Sequence, residues 1–128
     1  MEAIPATQLW IGRALSGLVI LFLFVDAAGK LFKAGPVMEG AARLGYPADT
    51  VFTMGVLLLI GAILYTVPRT AVIGAIYLTG FLGGALATHF RVGSPLFTHV
   101  LFSVYVAALM WGGLVLRNPR LTTVLLGG

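Results

Sequence analysis

Residues 50–67 read TVFTMGVLLLIGAILYTV, eighteen positions without a charge, and within them Val56-Leu57-Leu58-Leu59-Ile60 is apolar on every side. A membrane-barrel strand alternates polar and apolar residues over about ten positions, so this run does not read as a strand. As a helix, eighteen residues reach about 27 Å, which matches the hydrocarbon core of a bilayer. Three other runs have the same character: Leu9 to Phe32, interrupted by Arg13, Asp26 and Lys30; Thr70 to Thr88; and Pro95 to Leu116. Each is long enough to cross once.

The composition agrees with four crossings. The chain has 128 residues, 59% of them hydrophobic and 9% charged, with a mean hydropathy of +1.04. A soluble domain carries roughly 25% charged residues, so this chain would lack the polar surface to cover itself in water. The expected fold class is an all-α integral membrane protein: a single four-transmembrane-helix bundle over residues 1–128, with a short amphipathic interfacial helix between the first two spans.

Local signals mark the boundaries. Ser94 is placed to cap the fourth helix with Pro95 at its first position, and Asn118-Pro119 stops it. Pro68-Arg69-Thr70 is so short that the second and third spans must form an antiparallel hairpin. In the longer connection from Ala34 to Asp49, Val37, Met38, Ala41 and Leu44 share one helical face after Pro36. Glu39 and Arg43 stand at i, i+4 on the other face, and Gly45 is the stop. The beginning carries Glu2 rather than a basic cluster, and Val25-Asp26-Ala27 is an unusual cleavage site. The first span is therefore expected to be retained rather than removed as a leader.

With no cysteine in the chain, disulfides, thiolate metal sites, iron–sulfur clusters and Cys-x-x-Cys relays are excluded. The net charge of +4 comes from eight basic residues scattered between apolar runs, which does not suggest nucleic acid. They are expected to mark loops and touch lipid phosphates. The chain is also rich in glycine, with 17 residues, many inside spans. Gly80-x-x-x-Gly84-x-x-x-Thr88 puts small residues on one face of the third span, as Gly12 and Ser16 do on the first. These are candidate helix-packing faces, within the bundle or in a homo-oligomer.

The few polar residues inside spans converge. Antiparallel geometry brings Asp26, Lys30, His89, Arg91 and His99 to the membrane side opposite the termini. Lys30 follows Asp26 by four residues in the favourable acid-then-base order. An Asp at hydrocarbon depth costs about 2.5–3.5 kcal/mol at the centre unless it faces inward and finds partners. Two readings of Asp26 stay open. It pins helices together through Lys30 or Arg91, or it belongs to a polar pocket that binds a head group or relays protons, with the histidines as further members. Haem ligation would need opposed histidines deep in the bundle. A metal site on Asp26, His89 and His99 fits by ligand type, but no spacing demands it, so no metal is expected. The terminal side carries Arg13, Arg69, Arg117 and Arg120, and the opposite side Lys30, Lys33, Arg43 and Arg91. This tie breaks toward cytoplasmic termini if Lys30 and Arg91 serve a site rather than topology.

The ordered set Asp26-x-x-Gly29-Lys30-Leu31, Leu44-Gly45-Tyr46-Pro47, Pro68-Arg69-Thr70 with Gly74-Ala75, Gly84-Ala85, Thr88-His89-x-Arg91-x-Gly93 and Arg117-x-Pro119 resembles the DoxX-like family of small four-span bacterial membrane proteins. The resemblance runs from the first span to the last and implies a four-helix bundle in the bacterial cytoplasmic (inner) membrane. The family takes its name from proteins tied to a thiosulfate:quinone oxidoreductase, and some relatives belong to membrane oxidoreductase complexes. It supplies no agreed catalytic residues, and His99 lies outside its pattern. The resemblance supports fold more strongly than function.

The leading expectation is an accessory subunit of a quinone-linked membrane redox system, binding a quinone or lipid head group. It would have no intrinsic cofactor, with quinone as the ligand to test. Membrane lipid and a homo-oligomer or larger membrane complex are the expected partners. A structural or assembly protein without a ligand site is the alternative. A small transporter ranks below both, because no span has an interior proline.

Overall fold

A computed structural model describes residues 4–127 of the chain, so Glu2 lies outside the described residues. Among them every regular element is helical. Helix α1 (Ala6–Leu31) leads through the short α2 (Gly35–Arg43) to α3 (Ala48–Thr66) and α4 (Ala71–Arg91). A π-helical turn (Leu96–Val100) then opens α5 (Phe102–Arg117), and α6 (Arg120–Leu126) follows. Four helices are long and apolar enough to cross a membrane: α1, α3, α4 and the combined segment Leu96–Arg117. Their outer faces are as apolar as the interior, with Leu21 and Ile76 more than 60% exposed, as lipid-facing surface should be.

The spans run up and down in cyclic order. Helix α1 packs against α3 and α5, and α4 packs against the same two, so α1 and α4 stand diagonally across the bundle. Val19, Leu23, Leu58, Leu78, Met110 and Leu114 fill the centre. Near the termini the crossings are tight. A Cβ at Gly12 would meet the Gly113 carbonyl at 3.0 Å, and one at Gly113 would meet Ser16 Oγ at 2.4 Å. These contacts place Gly12 and Ser16 at the α1–α5 crossing. Gly80 and Gly84 differ: a Cβ on either would meet nothing within 4 Å, so within this chain they form no helix contact. They border a cavity instead.

One buried polar chain ties three spans together. Tyr65 donates its hydroxyl proton to the Met110 carbonyl at 2.7 Å, so the 2.9 Å bond between Ser16 and Tyr65 must be donated by Ser16. It joins α1, α3 and α5 where no water is at hand to satisfy these groups.

On the side away from the termini, three helices end alike. Lys33, Gly45 and Gly93 adopt positive φ (54°, 88° and 74°). After each, the next amide reaches back to the carbonyl five residues earlier: Ala34 to Gly29, Tyr46 to Ala41, and Ser94 to His89. These are Schellman closures. Gly45 was legible as the stop of α2; Lys33 was not, because a lysine carries no signal for the left-handed region. The expected start of the fourth helix is corrected. No side chain caps it, and Ser94 bonds His89 instead. The Pro95 carbonyl accepts from both the His99 and Val100 amides, at 3.0 and 3.1 Å, so the first turn is π rather than α.

Candidate functional site

A cavity of about 940 Å³ occupies the bundle on the side opposite the termini, between the diagonal helices α1 and α4. Its deeper wall is apolar, with Phe22, Leu23, Leu58 and Leu82. Its outer part carries Asp26 and Lys30 from α1, Thr88 and His89 from α4, and His99 from the π turn. Helix α2 supplies the remaining wall through Val37, Ala41 and Arg43. The interfacial helix is thus part of the site.

Each polar group has a local reason for its position. One helical turn separates Asp26 from Lys30, and they form an ion pair with both side chains partly buried. The backbone of α3 comes close to the Lys30 stem at Gly55, where a Cβ would lie 2.9 Å from Lys30 Cβ. Asp26 therefore pairs along its own helix, and this contact joins no two spans. His89 is held through Nδ1 by Ser94 Oγ at 3.0 Å, and His99 through Nδ1 by Thr98 Oγ1 at 2.8 Å. The two rings meet edge to face, 5.7 Å between centroids. Holding each ring by Nδ1 leaves Nε2 for a further partner. Although Asp26, His89 and His99 line one cavity, among the described residues no three His, Asp or Glu side chains group as a metal-binding set.

Arg91 is the sequence candidate that does not line the cavity. Its Nη2 donates to the Leu44 carbonyl at 3.1 Å, placing a cation at the C-terminal end of α2, where the helix dipole favours it. Beside it, the hydroxyl proton of Thr88 goes to the Gly84 carbonyl, so the 2.8 Å bond between Tyr46 and Thr88 is donated by Tyr46. Two contacts thus latch the end of α2 to α4. Residue-type reasoning missed Arg43, Tyr46, Thr88 and Ser94 as parts of the site. Tyr46 and Thr88 lie inside the motif segments of the sequence, but neither residue type signals a site by itself.

Four apolar spans in cyclic order around a cavity that is polar at one end, with an interfacial helix as one wall, define a small multi-pass membrane protein with an internal cavity. The sequence profile of the DoxX-like family matches residues 14–113, and the chain belongs to that family. No match was found among curated proteins or among solved structures.

Proposed function

We propose that the cavity receives the head group of a quinone, or of a membrane lipid in its place, and that the protein is an accessory subunit of a quinone-linked redox system in the bacterial inner membrane. The observation that carries this reading is the polarity of the cavity along its depth: Lys30, His89 and His99 outside, Phe22, Leu58 and Leu82 inside. Its volume of about 940 Å³ falls in the range of small-molecule sites. Quinone carbonyls accept hydrogen bonds from an ammonium or an imidazole N–H, and each takes up a proton on reduction. Asp26 beside Lys30 is the group suited to passing protons on. The electrons come from a redox-active partner subunit.

The clamp alternative draws less support, because Asp26 pairs within α1 while other side chains tie the spans, among them Ser16 and Tyr65, Tyr77 on the Leu57 carbonyl and Trp111 on Thr79. Saturable binding of a short-tailed quinone to the protein in lipid nanodiscs is the test. Asp26→Asn and Lys30→Met should weaken it while the helical content stays intact. A folded wild-type protein with no saturable binding overturns the reading.

Both termini face the cytoplasm in this proposal. Lys30 is held in an ion pair and Arg91 by the Leu44 carbonyl, so two of the four basic residues on that side are engaged within the protein rather than acting as topology signals, which leaves Lys33 and Arg43 as its topology signals. Reporter fusions at the C-terminus should read as internal; an external signal reverses the orientation.

A further inference from the structure

A second cavity of about 220 Å³ lies against the seam between α1 and α5. Leu18, Val19, Val106 and Leu109 line it with the ring of Tyr105, whose hydroxyl is spent on the Phe97 carbonyl at 2.9 Å. It faces lipid, with Leu18 57% and Tyr105 45% exposed. Phe22 and Phe102 belong to the walls of both cavities, and their rings meet edge to face with centroids 5.3 Å apart. Two aromatic rings in edge-to-face contact therefore form the partition between a lipid-facing apolar groove and the polar-ended internal cavity.

We infer that the α1–α5 groove is the tail subsite of the ligand whose head group the large cavity holds, and that Phe22 and Phe102 are the gate through which this long-tailed amphiphile passes laterally from the bilayer. The inference rests on the head-group reading above. The occupant is fixed by continuity and by solvent. A groove that opens into hydrocarbon and offers no hydrogen-bond partner takes an alkyl or isoprenoid chain, and the adjoining cavity takes the polar end of the same molecule. Edge-to-face rings suit a gate, since either can turn about its side-chain torsions without unpicking backbone hydrogen bonds. The π turn contributes directly. Phe102 begins α5 just after it, and the extra residue in that turn rotates Phe102 by about 100° relative to an uninterrupted helix from Pro95. Since lipid tails are as apolar as leucine, the groove governs where the tail lies rather than adding much affinity. The test therefore reads location.

The full chain in phosphatidylcholine nanodiscs is photolabelled with a long-tailed quinone carrying a diazirine in its tail, with and without excess tailless quinone. Labelling is expected within residues 18–22 and 102–109, and it should be suppressed by the tailless competitor. Leu18→Trp, which fills the groove from an exposed position, should lower it about tenfold. Leu21→Trp, exposed but outside the groove, should not. Labels spread evenly over the four spans, or insensitive to competitor, mean bulk lipid contact and overturn the tail subsite. If wild type binds tailless quinone but the tail labels α3 or α4, the lateral route falls and the head-group reading stands. If wild type does not bind tailless quinone at all, both fall.

Discussion

Replacing Gly74 by alanine sets two effects of opposite sign against each other. In a helix interior, Gly→Ala normally stabilises by about 1 kcal/mol through the unfolded chain's lost freedom. At Gly74 the new Cβ would stand 2.4 Å from the Tyr65 nitrogen, 2.7 Å from the Leu64 carbonyl carbon and 2.8 Å from Tyr65 Cα. Comfortable carbon contacts lie at about 3.5–4.0 Å, so α4 would have to withdraw from α3 by about 1 Å. These are backbone atoms, and no change of rotamer relieves them. Overpacking of this kind costs about 1–3 kcal/mol. The displaced residue is also the one whose hydroxyl bridges Ser16 and Met110, and such bonds inside a membrane protein contribute about 0.6 kcal/mol each. The clash outweighs the propensity, and a net loss of about 2 kcal/mol is expected. Reversible unfolding in mixed micelles, followed by helical circular dichroism, measures it. Gly83→Ala is the reference, because its Cβ would meet nothing within 4 Å and only the propensity gain remains. If Gly74→Ala proves as stable as Gly83→Ala, the close approach of α3 and α4 described above is wrong.

Tyr65→Phe should cost about 1–2 kcal/mol, with Ser16→Ala adding less than its own value on top, because both remove one shared network; the same unfolding assay, run as a double-mutant cycle, reads this. Lys33→Gly should raise stability by up to about 1 kcal/mol, since Lys33 closes α1 at φ 54°, a conformation a side chain disfavours. An equal or lower unfolding midpoint would count against that closure. Tyr46→Phe removes the bond to Thr88 that helps latch α2 to α4. Amide exchange in residues 35–46 should then speed up about fivefold, the equivalent of about 1 kcal/mol, with the middle of α3 unchanged. Uniform acceleration across the spans would show a global effect instead.

Hydropathy made the four spans legible because each must satisfy its own backbone within about 30 Å of hydrocarbon, a constraint that leaves little room for other solutions. The amphipathic face of α2 and its Gly45 stop were legible for similar reasons. Less legible was anything settled by competition between partners. Ser94 reads as a cap from its place before Pro95, but His89 lies within reach and takes the hydroxyl. Gly80 and Gly84 read as a packing face because spacing cannot tell a helix contact from a cavity wall; within this chain nothing lies against them, and they border the cavity. For the polar cluster, helix direction alone brought Asp26, Lys30, His89 and His99 to one end. Arg91 reached the same end but not the cavity, since the Leu44 carbonyl at the end of α2 holds it. The Tyr65 network was hidden because a tyrosine near a membrane surface is too common to single out.

The placement of tight and loose packing along the membrane normal separates stability from ligand chemistry. Near the termini, Gly12, Gly113 and Gly74 bring backbones into contact, and the Ser16–Tyr65–Met110 chain locks three spans. At the other end, the cavity between the diagonal helices α1 and α4 is bordered by Gly80 and Gly84, whose missing side chains keep it open. Filling that space should not unfold the bundle, because the added methyls of Gly80→Ala and Gly84→Ala meet no atom within 4 Å and the propensity change favours them. The same methyls intrude on the cavity. The double variant should therefore match or exceed the wild type in unfolding and yet bind the short-tailed quinone more weakly. A double variant that loses stability and binding together would mean that these glycines hold helices apart for the sake of the fold, and that the cavity is a by-product of packing.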